Sequence, residues 1–187
     1  MPDILVCRAD EKISENMKEK IALFCNVNKE NVIENKTVSN LYEIPLMLEK
    51  EGLANAVCKK LNLKNTNLYN EGWEKLIKSI KENQNYKKVK IAIVGKYTKL
   101  EDSYLSVIES IKHAGYKNLV NTDIELVDSE QITKENVKDI IGKYNGIIVP
   151  GGFGDRGIEG MIETIKYARE NKVPFLGICL GMQMAVI

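Results

Sequence analysis

From residue 89 onward the chain alternates short apolar runs with longer amphipathic stretches. Apolar runs fall at 89–94 and 124–127, with two more inside Gly146-Ile-Ile-Val-Pro-Gly151-Gly152-Phe153-Gly154 and Val173-Pro-Phe-Leu-Gly-Ile-Cys179. Between them, residues of about 101–114, 134–143 and 157–170 carry helical periodicity. In the first of these helices Tyr104, Val107, Ile108 and Ile111 recur at three- and four-residue steps, which marks a buried stripe. Buried strands separated by helix-length segments predict parallel pairing with helices on both faces of the sheet.

That architecture is an α/β, flavodoxin-like parallel sheet. Ahead of it the pattern is less regular. Residues 4–7 read as a short strand, and Ser14 with Met17, Ile21, Phe24 and Cys25 as a capped helix with an apolar face. Residues 31–38 read as a turn and an extended segment, followed by helices around 41–50 and 54–60. The segment 63–88 is rich in Asn, Lys and Glu and holds one helical stretch, 73–80; it reads as a linker carrying a docking helix.

Chemistry concentrates where the last strand turns into a helix. Cys179 stands between Gly177 and Gly181 with one residue on either side, the arrangement of a sharp strand-to-helix bend that pushes a nucleophile into a crevice. The amides of the following helix start favour a thiolate and an oxyanion. The preceding glycine loop ends a neighbouring strand, so parallel pairing would bring the Gly151-Gly152 amides to the same rim. Taken alone, Gly-x-Cys-x-Gly also fits a buried structural cysteine, and Pro150-Gly151 a plain turn. A thiol nucleophile needs a base, most often histidine. The sequence has one, His113, placed beside Gly115 where it reads as a helix C-terminal residue interacting with the dipole.

Composition narrows the partners. The 27 basic and 26 acidic residues are interspersed and leave a net charge of +1, which excludes a nucleic-acid stripe or a polybasic membrane anchor as the organising feature. The four cysteines, Cys7, Cys25, Cys58 and Cys179, are far apart, lack metal-ligand spacing and accompany no signal peptide, which points to reduced thiols in a cytoplasmic protein and to no metal site. A small molecule or another subunit is the expected partner.

GICLGMQ and VPGGFGDRG resemble the class I glutamine amidotransferases, and KIAIVGKYTKLEDSYLSVIESIKHAG with CRADEKISENMKEKIALFCNV resembles the CTP synthase family within that class. The likeness covers nearly the whole chain. It implies that residues 1–62 are the C-terminal part of a P-loop-type synthetase (amidoligase) domain, 63–88 the linker, and 89–187 the first half of a glutaminase domain. The implied reaction is ATP-dependent amination of UTP to CTP with ammonia released from glutamine through a cysteine thioester. By the same resemblance Cys179 is the nucleophile, and Gly152, Leu180, Gly181, Met182 and Gln183 hold glutamine and its oxyanion. Lys20 and Phe24 contact the pyrimidine nucleotide, Lys36, Thr37 and Val38 line ATP, and Phe153 stacks on GTP, an activator. Mg²⁺ is implied with ligands outside this chain, and so are a homotetramer and a base pair of His and Glu in a segment absent here.

Without the resemblance Lys20 reads as a solvated lysine, Phe24 as a core aromatic, Val38 as a strand residue and Phe153 as loop packing. The pattern stops two turns into the last helix, and the first strand has no preceding partner, so both halves look cut and the chain alone is expected to be inactive. Two other functions stay open on the residues. One is a different amidotransferase or thiol hydrolase using His113 as base; the other is a non-catalytic fragment that associates with an intact synthase.

Overall fold

The structure, a computed structural model, describes residues 1–64 and 71–187, so part of the expected 63–88 linker lies outside the described residues. The chain divides into two compact units, Met1–Lys78 and Ser79–Ile187.

In the first unit β1 (Leu5–Ala9) leads through α1 (Glu15–Cys25) to β2 (Val32–Lys36), and the two strands pair in parallel from Leu5↔Val32 to Ala9↔Lys36. The partner of the first strand thus follows it in the chain and is supplied by the segment expected to be extended. Ser14 caps α1, its Oγ accepting from the Met17 amide at 3.3 Å, and Asn26 ends the helix in the left-handed conformation at φ 50°. The apolar face of α1 differs from expectation. Ala22 is buried and Ile21 and Cys25 are half-buried, but Met17 and Phe24 point to solvent. Burial pushes the Cys7 thiol up, with a smaller push from Cys25. A turn at Leu41–Glu43 opens α2 (Ile44–Lys50), followed by α3 (Leu53–Lys60). Then comes α4 (Glu71–Glu82), the helix expected at 73–80, whose Trp73 donates its Nε1 hydrogen to the Tyr42 carbonyl at 2.7 Å.

The second unit is a four-stranded parallel sheet made of β3 (Lys88–Gly95), β4 (Asn121–Asp128), β5 (Gly146–Val149) and β6 (Phe175–Gly177), in the spatial order β4-β3-β5-β6. Its helices are α5 (Leu105–Asn118), α6 (Val137–Ile141), α7 (Ile158–Glu170) and the short α8 (Leu180–Met184). One sheet face meets α6 and α7 in a core built around Ala92, Val94, Ile141, Val149 and Met161. On the other face Ile91, Ile148 and Leu176 line a groove of about 530 Å³ with Val107, Ile111 and Ala114 of α5. Helices thus cover both faces, as the alternation of apolar runs predicts.

The first α/β helix starts later than its periodicity suggests, because residues Glu101–Tyr104 form a 3₁₀ turn and α5 then runs to Asn118. His113 consequently lies inside the helix rather than at its C-terminus, which Leu119 closes at φ 54°. The dipole reading of this histidine does not apply. The sheet reverses its direction of growth at β3: the chain places β4 on one side and then crosses to β5 on the other. Ligands of open α/β sheets bind at the carboxyl end of such a reversal.

Away from that end, Tyr144 donates its hydroxyl to Glu125, and Lys143 Nζ donates to the same carboxylate at 2.9 Å. The Tyr144 hydrogen bond and then Lys143 hold the Glu125 carboxyl below its usual range, while burial and then Glu125 push the Tyr144 phenol up. A depressed carboxyl stabilises the fold above its unfolded pKa of about 4.3 and loses that contribution as pH falls through the lower folded value. Glu125→Gln is therefore expected to flatten the acid limb of a urea-unfolding series below about pH 4.3. The effect is small because the pair is partly exposed. An acid limb of unchanged steepness would remove Glu125 from the balance.

Candidate active site

β5 ends at Val149, whose carbonyl accepts from the Ile178 amide at 2.9 Å, carrying the pairing one residue past β6. The next residue, Cys179, has φ 53° and ψ −108°, outside the regions open to side-chain-bearing residues, and α8 begins immediately after it. Such a conformation costs on the order of 1–3 kcal/mol and persists only where the surroundings over-determine it. The flanking glycines do this. A Cβ on Gly177 would sit 2.7 Å from the Gly181 carbonyl carbon, and one on Gly181 would overlap the Val149 carbonyl. The backbone of α8 therefore packs directly on the end of β5, and the Cys179 side chain is exposed.

The glycine loop lies on the same rim. A Cβ on Gly151 would be 3.4 Å from Cys179 Cβ and 3.8 Å from its Sγ, and one on Gly152 would be 3.5 Å from Leu180 Cδ2. Of the segment after the cysteine, Leu180 and Gly181 are buried and Met182 and Gln183 exposed. The Gly181 amide donates to Ile178 O and the Gln183 amide to Cys179 O, both at 3.0 Å. Phe153 stands 89% exposed, so loop packing does not account for its ring. The His113 ring lies against Tyr116 on α5, with centroids 6.4 Å apart.

A further set of residues binds this loop to the end of β3; the segment Gly95–Tyr104 resembles a family loop near the GTP activator, but the sequence assigns no role to Lys96, Tyr97 or the Tyr104 hydroxyl individually. Lys96 is 3% exposed, and its Nζ donates to the carbonyls of Phe153, at 3.3 Å, and Gly154. The Phe153 amide donates to Tyr97 Oη at 3.1 Å. The buried Tyr104 hydroxyl accepts from the Lys96 and Tyr97 amides at 3.0 and 3.1 Å. Arg156 donates to Lys96 O at 3.0 Å and pairs with Glu130 at 2.7 Å. Gly95 makes room for the Tyr104 phenol, since a Cβ there would lie 2.7 Å from its Cζ. The signal available in the sequence was Gly95-Lys96-Tyr97 at the carboxyl end of the strand where the sheet reverses.

The remaining candidates belong to the first unit and are described within it. Lys20 and Phe24 are exposed one turn apart on α1, Phe24 at 86%, so the core-aromatic reading of Phe24 is overturned. Lys36 and Thr37 are exposed at the end of β2 and Val38 is half-buried. Thr37 donates its amide to Ala9 O and its hydroxyl to Asp10, both at 2.8 Å. Among the described residues no group of three or more His, Cys, Asp or Glu is placed to hold a metal ion, and no helix is long and apolar enough to cross a membrane.

Comparison with known proteins gives consistent matches for both units. The family described as "CTP synthase N-terminus" matches residues 1–63, and "Glutamine amidotransferase class-I" matches 99–187. The CTP synthase of Clostridium acetobutylicum is 52% identical over 186 residues, covering 100% of this chain and 34% of that protein. That of Clostridium perfringens is 50% identical with the same coverage, and that of Symbiobacterium thermophilum is 51% identical over 190 residues, 100% of this chain and 35% of its own. The chain thus spans about a third of the length of the curated relatives it matches. Among solved structures, the Trypanosoma brucei CTPS glutaminase domain with bound acivicin is similar at 43% identity and TM-score 0.48, over 53% of this chain and 39% of that one.

Proposed function

The chain belongs to the CTP synthase family and carries part of its class-I glutamine amidotransferase region, and from this we propose that Cys179 is the nucleophile that opens the side-chain amide of glutamine. The observation that carries the proposal is the exposed Cys179, held at φ 53° with the Gly151-Gly152 backbone packed against it.

In this mechanism the Cys179 thiolate attacks the amide carbon of glutamine, and the carbonyl π pair moves onto oxygen. The oxyanion is received by the backbone amides of Gly152, on the loop packed beside Cys179, and of Leu180, the residue that follows it; the Gly181 and Gln183 amides are engaged elsewhere. A base outside this chain, the His of the pair that the resemblance implies, would take the thiol proton and give it to the amide nitrogen; the oxyanion pair then re-forms the carbonyl as the C–N bond breaks and ammonia leaves, and water attacks the resulting thioester to release glutamate and return the thiol. Gly181, Met182 and Gln183 shape the rim around glutamine.

The ammonia would serve amination of UTP to CTP in the whole protein, with residues 1–62 as the end of the synthetase domain, 63–88 as linker and 89–187 as the start of the glutaminase domain. An exposed cation and an exposed ring on one face of α1, Lys20 and Phe24, support contact with a pyrimidine nucleotide. The exposed Lys36 beside Thr37 and Val38 supports a contact with ATP, which supplies a phosphoryl group to activate the substrate oxygen. The outward ring of Phe153 supports stacking on GTP. In this reading Mg²⁺ is held by residues outside this chain, and the enzyme assembles as a homotetramer.

The test is alkylation of the chain with the chloromethyl ketone analogue of glutamine, followed by peptide mapping. The expected result is one saturable adduct, on Cys179, suppressed by L-glutamine. An unsaturable pattern spread over Cys7, Cys25 and Cys58 would defeat the proposal. His113→Ala is expected to change the labelling rate by less than about twofold, since its ring lies against Tyr116 on α5 and is not among the groups that meet Cys179. A collapse of labelling would instead make His113 the base.

A further inference from the structure

The glycine loop beside Cys179 has no regular secondary structure, yet its shape decides where the Gly152 amide points. Loops held only by their own backbone sample many conformations, and an oxyanion donor is effective only when it is aimed in advance. The residue after Gly152 is bound on both sides: its amide by Tyr97 Oη at 3.1 Å and its carbonyl by Lys96 Nζ at 3.3 Å, with the Gly154 carbonyl on the same ammonium. The aliphatic stem of Lys96 runs under Gly152 on its way there, its Cδ 3.3 Å from where a Cβ on Gly152 would stand.

Burying an ammonium is costly, so a lysine 3% exposed needs strong partners. Its partners here are backbone carbonyls of a loop rather than a carboxylate. Among the described residues, the hydrogen bonds of the ammonium go to the carbonyls of Phe153 and Gly154, so they bear on the conformation of the loop that follows Gly152. The same lysine is itself fixed, its amide held by Tyr104 Oη and its carbonyl by Arg156.

We propose that Lys96, seconded by Tyr97, is the positioning residue of the oxyanion loop: it aims the Gly152 amide at the carbonyl oxygen of the bound amide without touching it. This rests on the glutaminase reading above. It adds a role for the end of β3, the strand at which the sheet reverses, and explains why an aromatic as exposed as Phe153 stands on a rigid backbone. Phe153 can present its ring outward because both of its main-chain polar groups are satisfied from below.

The test uses the 187-residue chain, with Lys96→Met, Lys96→Arg and Tyr97→Phe, and two readouts. The first compares alkylation by the glutamine chloromethyl ketone, which passes through a tetrahedral oxyanion, with alkylation by iodoacetamide, which does not. Lys96→Met is expected to lower the maximal rate with the ketone about tenfold, somewhat less than outright loss of a donor, with iodoacetamide unchanged within about twofold. Lys96→Arg, which keeps a donor to the carbonyls, is expected to recover most of the loss, and Tyr97→Phe to show a milder form of it. Equal losses with both reagents would mean that Lys96 supports the cysteine bend as a whole, and would overturn the proposal. The second readout is amide hydrogen exchange, which does not depend on any reaction of Cys179. Peptides covering 150–156 are expected to exchange at least about tenfold faster in Lys96→Met and measurably faster in Tyr97→Phe, with β3 and α7 unchanged. Unaltered exchange in both variants would overturn the positioning role. Faster exchange in a chain whose parent shows no saturable ketone labelling would leave the pinning in place and reject the glutaminase reading instead.

Discussion

Gly181→Ala is expected to slow the saturable labelling of Cys179 by roughly 100-fold or more, the scale on which active sites lose rate when an oxyanion donor is displaced, although the sulfur itself is untouched. The added methyl would overlap the Val149 carbonyl oxygen and sit 2.7 Å from its carbonyl carbon and 2.9 Å from its Cβ. Two of these are backbone atoms, and the Cβ is fixed to the same backbone, of a strand hydrogen-bonded to both neighbours, so they cannot swing aside as the end of a flexible side chain would. The first turn of α8 must retreat instead, taking with it the Leu180 amide and the bond from the Gly181 amide to Ile178 O that closes the bend. Overpacking of this kind also costs on the order of 1–3 kcal/mol of stability, more where backbone must move. A matched control is Gly72→Ala on α4, where a Cβ meets nothing within 4 Å; there the change should add about 0.5–1 kcal/mol through helix propensity and leave labelling alone. Labelling of Gly181→Ala at the parent rate would show that the bend does not depend on contact between α8 and β5.

This dependence explains how far the sequence could be read. Apolar runs of strand length fix four parallel strands in the second unit, and Gly177, Cys179 and Gly181 announce a bend, because each feature is local and rests on steric rules that hold in any protein. The pairing of β1 with β2 was not visible in the same way. It joins Leu5 to Val32 across an intervening helix, and in residues 32–36 the run Val-Ile gives way to Glu-Asn-Lys, which carries little strand signal. Phe24 departs from its expected burial for a related reason: periodicity tells which positions share a helix face, but not whether the fold supplies anything to cover that face.

Within the candidate site, the sequence revealed the atoms beside the reaction and missed those that hold them. Cys179, Gly151 and Gly152 stand out because nucleophiles and glycine loops are rare combinations. Lys96, Tyr97 and Tyr104 look ordinary by composition; Lys96 and Tyr97 act through contacts bridging 56 to 58 residues, such as Phe153 with Tyr97, and Tyr104 through the two neighbouring amides it holds. Tyr104 is the clearest case. Its place in a buried stripe on the helix pattern accounts for the ring, and the hydroxyl goes unremarked until the fold folds the Lys96 and Tyr97 amides onto it.

That hydroxyl supports a second prediction. Tyr104 is 4% exposed, and its Oη is the acceptor for two consecutive amides at the point where β3 ends, one of them on the buried Lys96. Tyr104→Phe keeps the ring and deletes only the acceptor, leaving two donors without a partner. An orphaned buried donor costs about 1–3 kcal/mol, so the variant is expected to lose roughly 2–6 kcal/mol from the second unit. The upper end applies if no water enters, and Gly95 packs so closely on the phenol that little space opens. Urea unfolding followed by far-ultraviolet circular dichroism would measure the loss. Because the freed amides belong to the residues that pin the glycine loop, exchange at 150–156 should quicken along with the loss of stability. Tyr97→Phe separates the two effects: it removes a half-exposed hydroxyl from the Phe153 amide, so it should loosen the loop while costing no more than about 1.5 kcal/mol, the net worth of one ordinary hydrogen bond. Equal stability of Tyr104→Phe and the parent would mean that the two amides find other acceptors, and the end of β3 would then owe its shape to side-chain packing alone.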